Sequence, residues 1–167
     1  MKRHTLDSMY QSYVKDVYRY LISLCRDHHA AEDLVQETFY RAYLYLDNCK
    51  EDKIKPWLFR VAYNVFVDYY RKEQRSIPTG TEFFMQLSDT QTPDELLLKK
   101  ELWGHIGDAI STLPVNQKQA ILLHDFHELS YREAAEIMEI RLSHFKILLY
   151  RARQVVRQHN ERKDNDE

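Results

Sequence analysis

Glycine and proline are scarce, three and four in 167 residues. Sheet-rich and loop-rich folds need such residues at regular turns, so the scarcity argues for helices joined by short connections. No apolar run approaches the ~18–20 residues of a membrane span, and no short apolar stretch follows the start as a secretory leader requires. Cys25 and Cys49 stand alone, without CxxC spacing, and read as free thiols of a reducing cytoplasm. A glycine-rich phosphate loop and a nucleophile elbow are both missing, which argues against the common enzyme classes. His28-His29 and His124/His127 invite a metal reading. On helices, however, the 124/127 pair lacks a clear third and fourth ligand, so cap or surface histidines are the simpler assignment and no cofactor is expected.

What is present suits a soluble globule: 44% hydrophobic and 30% charged residues. The net charge of −2 does not by itself suggest a nucleic-acid partner, but its distribution does. Residues 1–75 carry 13 Lys and Arg against 11 Asp and Glu, and residues 112–160 carry 7 against 5. Between them, residues 76–111 carry 2 against 6. Two mildly basic blocks are separated by an acidic one, and local basic faces can survive the averaging.

Periodicity places helices throughout. Residues 5–24 carry Met9, Tyr13, Val17, Tyr20, Leu21 and Leu24 at helical spacing. Asp27 can cap a second helix, His28–Leu46, with Ala31, Leu34, Val35, Phe39, Ala42 and Leu46 as its stripe. A polar break from Asp47 to Lys55 precedes a third helix with Pro56 in its first turn, running to about Glu73. The expected organisation is all-α: a first domain over 1–75, an acidic flexible linker over 76–92, a second domain over 93–160 and a charged tail over 161–167. Thr92-Pro93-Asp94-Glu95 and Ser130-Tyr131-Arg132-Glu133 both read as capping boxes. Helices are expected at 93–111, 114–126, 130–138 and 143–159.

The last two of these, a short helix, a tight turn and a longer helix, have helix-turn-helix spacing. Phe145, Leu148, Leu149, Ala152 and Val156 form the core stripe of the second. From Arg141 to Asn160 there are five basic residues and no acidic one, so Arg141, Lys146, Arg151, Arg153 and Arg157 can approach phosphates unopposed. His144, Ser143 and Tyr150 can hydrogen-bond bases or backbone. A solvated helix face is the bland alternative, and the two-helix spacing with its capping box tips the balance to DNA.

The third helix combines Leu58, Val61, Ala62, Val65 and Tyr69 on one stripe with Trp57, Arg60, Asn64 and Arg71 on another. Cations that hold phosphates, rings that stack bases and an amide that reads a base edge suit separated DNA strands. Asn64 has poor helical propensity mid-helix, so an interaction should offset it. For most of Trp57, Phe59, Phe66 and Tyr70 a place in the core is the simpler reading, which leaves Asn64 and Arg60 as the DNA candidates. On the second helix, Glu32, Asp33, Gln36 and Glu37 form an acidic cluster that either favours the helix dipole or docks a basic partner. The linker is acidic yet carries Phe83, Phe84, Met85 and Leu87, and reads either as a tether or as a segment lying in a basic channel.

Together these segments resemble the extracytoplasmic-function (ECF) RNA polymerase sigma factors of the sigma-70 family. The run Ala31-Glu32-Asp33-Leu34-Val35-Gln36-Glu37-Thr38-Phe39-Tyr40-Arg41-Ala42-Tyr43 is similar to their polymerase-docking helix. Trp57-Leu58-Phe59-Arg60-Val61-Ala62-Tyr63-Asn64, followed by Asp68 and Arg71, is similar to their −10 helix. Leu113-Pro114, Leu129 to Ala135 and Tyr150-Arg151-Ala152-Arg153 are similar to their −35 domain. Within the family, Lys55-Pro56-Trp57-Leu58-Phe59, Phe145-Lys146 and Arg151-Ala152-Arg153-Gln154 resemble the sigma-M type. The resemblance implies that the first domain is sigma region 2 and the second is region 4. It implies that Asp33, Gln36 and Glu37, with Glu32, face core RNA polymerase. Asn64 would line a pocket for a flipped −10 base, with Arg60, Trp57, Arg71 and the loop residues Lys53 and Lys55 beside it. Lys146 and Arg151, with Arg153, Tyr150, His144 and Arg141, would meet the −35 element. The remaining implied partners are promoter DNA and a membrane-anchored anti-sigma factor, and the place is the cytoplasm. Cys49 stands where many members have an aromatic residue. The turn Glu139-Ile140-Arg141-Leu142-Ser143-His144 lacks the usual glycine and serine cap, and Ile147 and Leu148 replace small or polar residues. An ordinary helix-turn-helix regulator is the alternative of a different class, and it needs neither the docking helix nor the −10-like helix.

Overall fold

Asp27 decides where the second helix starts. Its backbone is extended, φ −127° and ψ 121°, and its carboxylate accepts the His29 N–H at 3.0 Å, satisfying a donor that every helix N-terminus leaves open. The computed structural model describes residues 6–49, 51–76 and 106–166, and among these every regular element is helical. The expected linker beyond Ser76, the capping box at Thr92 and the helix expected from 93 to 105 lie outside the described residues. The chain divides into two units, Met1–Gln91 and Thr92–Glu167.

In the first unit, α1 (Leu6–Cys25), α2 (His28–Leu44) and α3 (Ile54–Ser76) pack pairwise on one another. Arg26, in the left-handed region at φ 57°, turns the chain from α1 into α2. The 3-10 turns Leu46–Asn48 and Glu51–Lys53 lead into α3, so α2 stops short of the expected Leu46. Met9, Val17, Tyr20 and Leu21 of α1, Leu34, Val35 and Phe39 of α2 and Leu58 of α3 are all buried in the core of this unit. Each such side chain contributes about 1.5–3 kcal/mol on burial.

The core stripe of α3 differs from the expected one. Leu58, Ala62 and Val65 are buried, whereas Val61 and Tyr69 are half-buried and Phe59 and Phe66 take their places. The reason is that α3 packs against both α1 and α2, which widens its buried arc. Phe59 packs against Tyr20 with ring centroids 5.3 Å apart and the ring planes tilted by 59°. Burial, then the nearby charge of Glu73, pushes the Tyr69 phenol up to about 12.

The second unit contains α4 (Ile106–Ser111), α5 (Val115–Ile121), α6 (Tyr131–Ile137) and α7 (Leu142–Asp166). α7 packs on α4, α5 and α6 around Phe145, Leu149, Leu122 and Leu129. The helix expected over 114–126 is α only to Ile121 and continues as a π turn, Leu122–Phe126. There the His127 N–H donates to Leu122 O at 3.0 Å. Ser130 caps α6 through both bonds of a capping box, each 3.0 Å. α7 runs on through most of the expected tail, because neither glycine nor proline interrupts residues 143–166 and charged side chains remain solvated on a helix. Among the described residues, no helix is long and apolar enough to cross a membrane.

The glycine-free turn between α6 and α7 still closes as a glycine turn does. Glu139 adopts φ 55°, its N–H donates to Glu136 O at 3.1 Å, and the Ile140 N–H donates to Ala135 O at 3.1 Å. These are the two bonds of a Schellman motif, here with a side chain at the left-handed position.

Candidate nucleic-acid and partner interfaces

Helical geometry sets Trp57, Arg60, Asn64, Asp68 and Arg71 along one face of α3, at steps of three and four. Arg60, Asn64 and Arg71 are exposed, while Trp57 is half-buried. Lys53 is exposed on the preceding 3-10 turn and Lys55 is half-buried in the first turn of α3. Arg60, Asn64 and Arg71 thus share one exposed surface. Phe59 and Phe66 are buried, in keeping with the core reading of these rings, and Tyr70 lies over Phe66 at 5.8 Å. Cys49 flanks this end of α3, where burial and then the Asp52 charge push its thiol pKa up.

Asp68 is an acid among these cations, and it is answered from another helix. Arg41 of α2 donates from Nη1 to Asp68 Oδ2 at 2.9 Å and from Nε to Glu37 Oε1 at 2.9 Å. The bond to Glu37 is the chief cause that raises the Arg41 pKa further, so Arg41 is a fixed cation. Periodicity alone does not single out Arg41. Its local signal is the i,i+4 spacing from Glu37, and its partner on α3 lies 27 positions away.

On α2, Glu32, Asp33, Gln36 and Glu37 are all exposed. Two of them have local partners. Glu32 Oε1 meets His28 Nε2 at 2.9 Å, and Glu37 meets Arg41. The His28 Nδ1 lies 2.5 Å from the Tyr18 hydroxyl, so His28 is held between α1 and its own helix. The same face continues into aromatic residues that composition did not assign. Gln36, Tyr40 and Tyr43 follow at i, i+4 and i+7, and Tyr40 and Tyr43 are 59% and 60% exposed. Tyr40 and Tyr43, with Leu6, Asp7, Tyr10 and Phe39, line an open groove of about 270 Å³.

α7 sorts the residues expected at duplex DNA. Ser143, Ile147, Tyr150 and Gln154 occupy the centre of its outward arc, all exposed. Lys146, Arg153 and Arg157 border one side, and His144 and Arg151 the other. Arg141 is exposed just before the helix, where its carbonyl accepts the Phe145 N–H at 3.0 Å. Tyr150 accepts a hydrogen bond from Gln154 Nε2 at 2.7 Å. Lys146 Nζ stands 6.0 Å from the centre of the Tyr131 ring on α6. Arg153 is differently placed, since both its Nε and its Nη2 donate to Asp125 on the π turn, and those bonds raise its pKa. His124 Nδ1 lies 2.7 Å from Leu129 O. Among the described residues no three His, Cys, Asp or Glu side chains converge as a metal site.

Two family models and three known proteins are similar to this chain. Residues 9–76 match the family model for Sigma-70 region 2, and residues 105–155 match that for Sigma-70, region 4. The chain is 42% identical over 166 residues to the ECF RNA polymerase sigma factor SigM of Bacillus subtilis, covering 98% of this chain and 99% of that protein. It is 30% identical to the RNA polymerase sigma factor YlaC of the same organism, over 90% of this chain and 89% of that one. The sigma factor RpoE of Bartonella quintana, solved in complex with the anti-sigma factor NepR, superposes with a TM-score of 0.72 at 24% identity, covering 93% and 96% of the two chains.

Proposed function

Since the chain belongs to the extracytoplasmic-function RNA polymerase sigma factors, we propose that it binds core RNA polymerase and directs it to promoters, its first unit reading an opened −10 strand and its second an intact −35 duplex. α2 docks the polymerase through Asp33, Gln36 and Glu37, with Glu32 at the edge. α3 offers Asn64 to an unstacked base, with Arg60 and Arg71 on the phosphates, Trp57 beside the base, and Lys53 and Lys55 at the approach. α7 meets the duplex with Lys146, Arg151, Tyr150 and His144, with Arg141 at its start. The polymerase carries out the chemistry, and this chain contributes none of it. The setting is the cytoplasm, under a membrane-anchored anti-sigma factor in an envelope-stress response.

The observation that carries this reading is the pairing of two surfaces on one chain. One exposed face of α3 combines Arg60, Asn64 and Arg71, and α7 presents basic residues with no acid from Arg141 to Asn160. The first suits unpaired strands, whose bases and phosphates are both accessible, and the second suits the duplex backbone. The test is transcription in vitro by core polymerase with and without the purified chain, followed by mapping of the start sites. Promoter-specific initiation that depends on the chain is expected. Absence of a complex with core polymerase, or tight binding of bare duplex without it, rejects the reading.

A further inference from the structure

Asp68 sits four residues after Asn64 and three before Arg71, so it shares their face on α3. A carboxylate in that position opposes a phosphate-bearing strand. Arg41 reaches it from the neighbouring helix with a 2.9 Å bond, its side chain one-third exposed against about half for Asp68. The pair is too solvated to matter much for stability, where exposed ion pairs contribute about 0.2–1 kcal/mol. Its charge arithmetic matters more. With Arg41 present one positive charge offsets Asp68 beside Asn64, and without it that surface is more negative by one.

We infer that Arg41 is a positioning residue for promoter opening: it holds and neutralises Asp68, so that the α3 face accepts the separated strand. This rests on the reading that Asn64, Arg60 and Arg71 face DNA. Arg41 does not itself touch a base in this scheme. It acts through Asp68, and the consequence is electrostatic.

The experiment uses holoenzyme made from core polymerase and full-length chain, on a promoter mapped with the wild-type protein. Permanganate reactivity reports opened DNA across a salt series, and core affinity is measured separately because Arg41 also touches Glu37. Arg41→Gln is expected to reduce opening about two- to fivefold, the range an exposed pair can supply. It should also flatten the salt dependence by about 0.7 in log–log slope, the single-strand value for one charge. Asp68→Asn in the Arg41→Gln background should restore both. Asp68→Asn alone separates charge from scaffolding: it should open promoters at least as well as wild type, with a steeper salt slope, whereas a merely structural pair loses activity when either partner is changed. Loss of opening in Asp68→Asn, or no recovery in the double variant, overturns the inference while wild-type opening and an impaired Asn64→Ala leave the DNA reading intact. Failure of the wild-type holoenzyme to open any promoter removes both.

Discussion

Arg153 on α7 and Asp125 on the π turn are joined by two hydrogen bonds of 2.6 and 3.0 Å. The relationship spans 28 positions and depends on the π turn, which turns Asp125 outward while Leu122, Leu123 and His127 stay buried. The bidentate fork fixes α7 against the π turn that follows α5, and it occupies a guanidinium that the acid-free run from Arg141 to Asn160 otherwise offers to phosphates.

The outcome for substitutions on α7 follows. Arg153→Ala should lower the stability of the second unit by about 0.5–1 kcal/mol, a small effect because the pair is partly solvated. Lys146→Ala and Arg151→Ala should leave thermal unfolding within about 0.5 kcal/mol of wild type. Each of these two should also lower the salt slope of duplex promoter binding by about one. Thermal unfolding and salt titration of holoenzyme on −35 duplex measure both. If Arg153→Ala flattens the slope as much as Lys146→Ala does, Arg153 contacts phosphate and the strut is not its role.

Glu139 stands at a left-handed φ of 55° where a side chain costs roughly 1–2 kcal/mol. Glycine removes that strain but gives the unfolded chain more freedom to lose, about 0.4–1 kcal/mol. Glu139→Gly is therefore expected to raise stability by roughly 0.5 kcal/mol. Urea unfolding of the full chain, followed by a probe on α7, checks the sign. A destabilised variant means that the Schellman bonds alone do not set this turn.

Features set by neighbouring residues were legible in sequence. Asp27 and Ser130 cap the helices expected of them, and Phe145, Leu148, Leu149 and Ala152 are buried as their spacing on α7 requires. Features set by a second helix were not. α3 carries apolar residues on more than one face, so periodicity preferred Val61 and Tyr69 where contact with α1 and α2 selects Phe59 and Phe66. Of the candidate sites, Asn64, Arg60 and Arg71 emerged together from spacing and are exposed together. The Arg41–Asp68 and Arg153–Asp125 pairs join residues far apart in sequence, and no local pattern marks them.

Cys49 gives a pH-dependent outcome. Burial, with the Asp52 charge adding, raises its thiol pKa above the ordinary value of 9.0. The folded chain then holds the proton more tightly than the unfolded chain does. The associated stability is complete below the unfolded pKa and is lost as pH rises through the folded one. In a Cys25→Ala chain, iodoacetamide at pH 8 should alkylate Cys49 more slowly than in the urea-unfolded protein. Equal rates mean that the thiol is neither shielded nor shifted.

Asn64 offers the sharpest separation of stability from function. It is exposed in the middle of α3, where asparagine is up to about 0.7 kcal/mol poorer than alanine as a helix former. Asn64→Ala should therefore leave the first unit as stable as wild type or slightly more so. If its amide reads an unstacked base, the same substitution weakens promoter opening by the ~1–3 kcal/mol of a lost bidentate base contact, while closed-complex formation on duplex DNA changes little. Permanganate reactivity measures the first and filter binding at low temperature the second. A stable variant that opens promoters normally, or one that loses both steps equally, rejects base reading by Asn64, because neither pattern arises from a group that meets DNA only after its strands part.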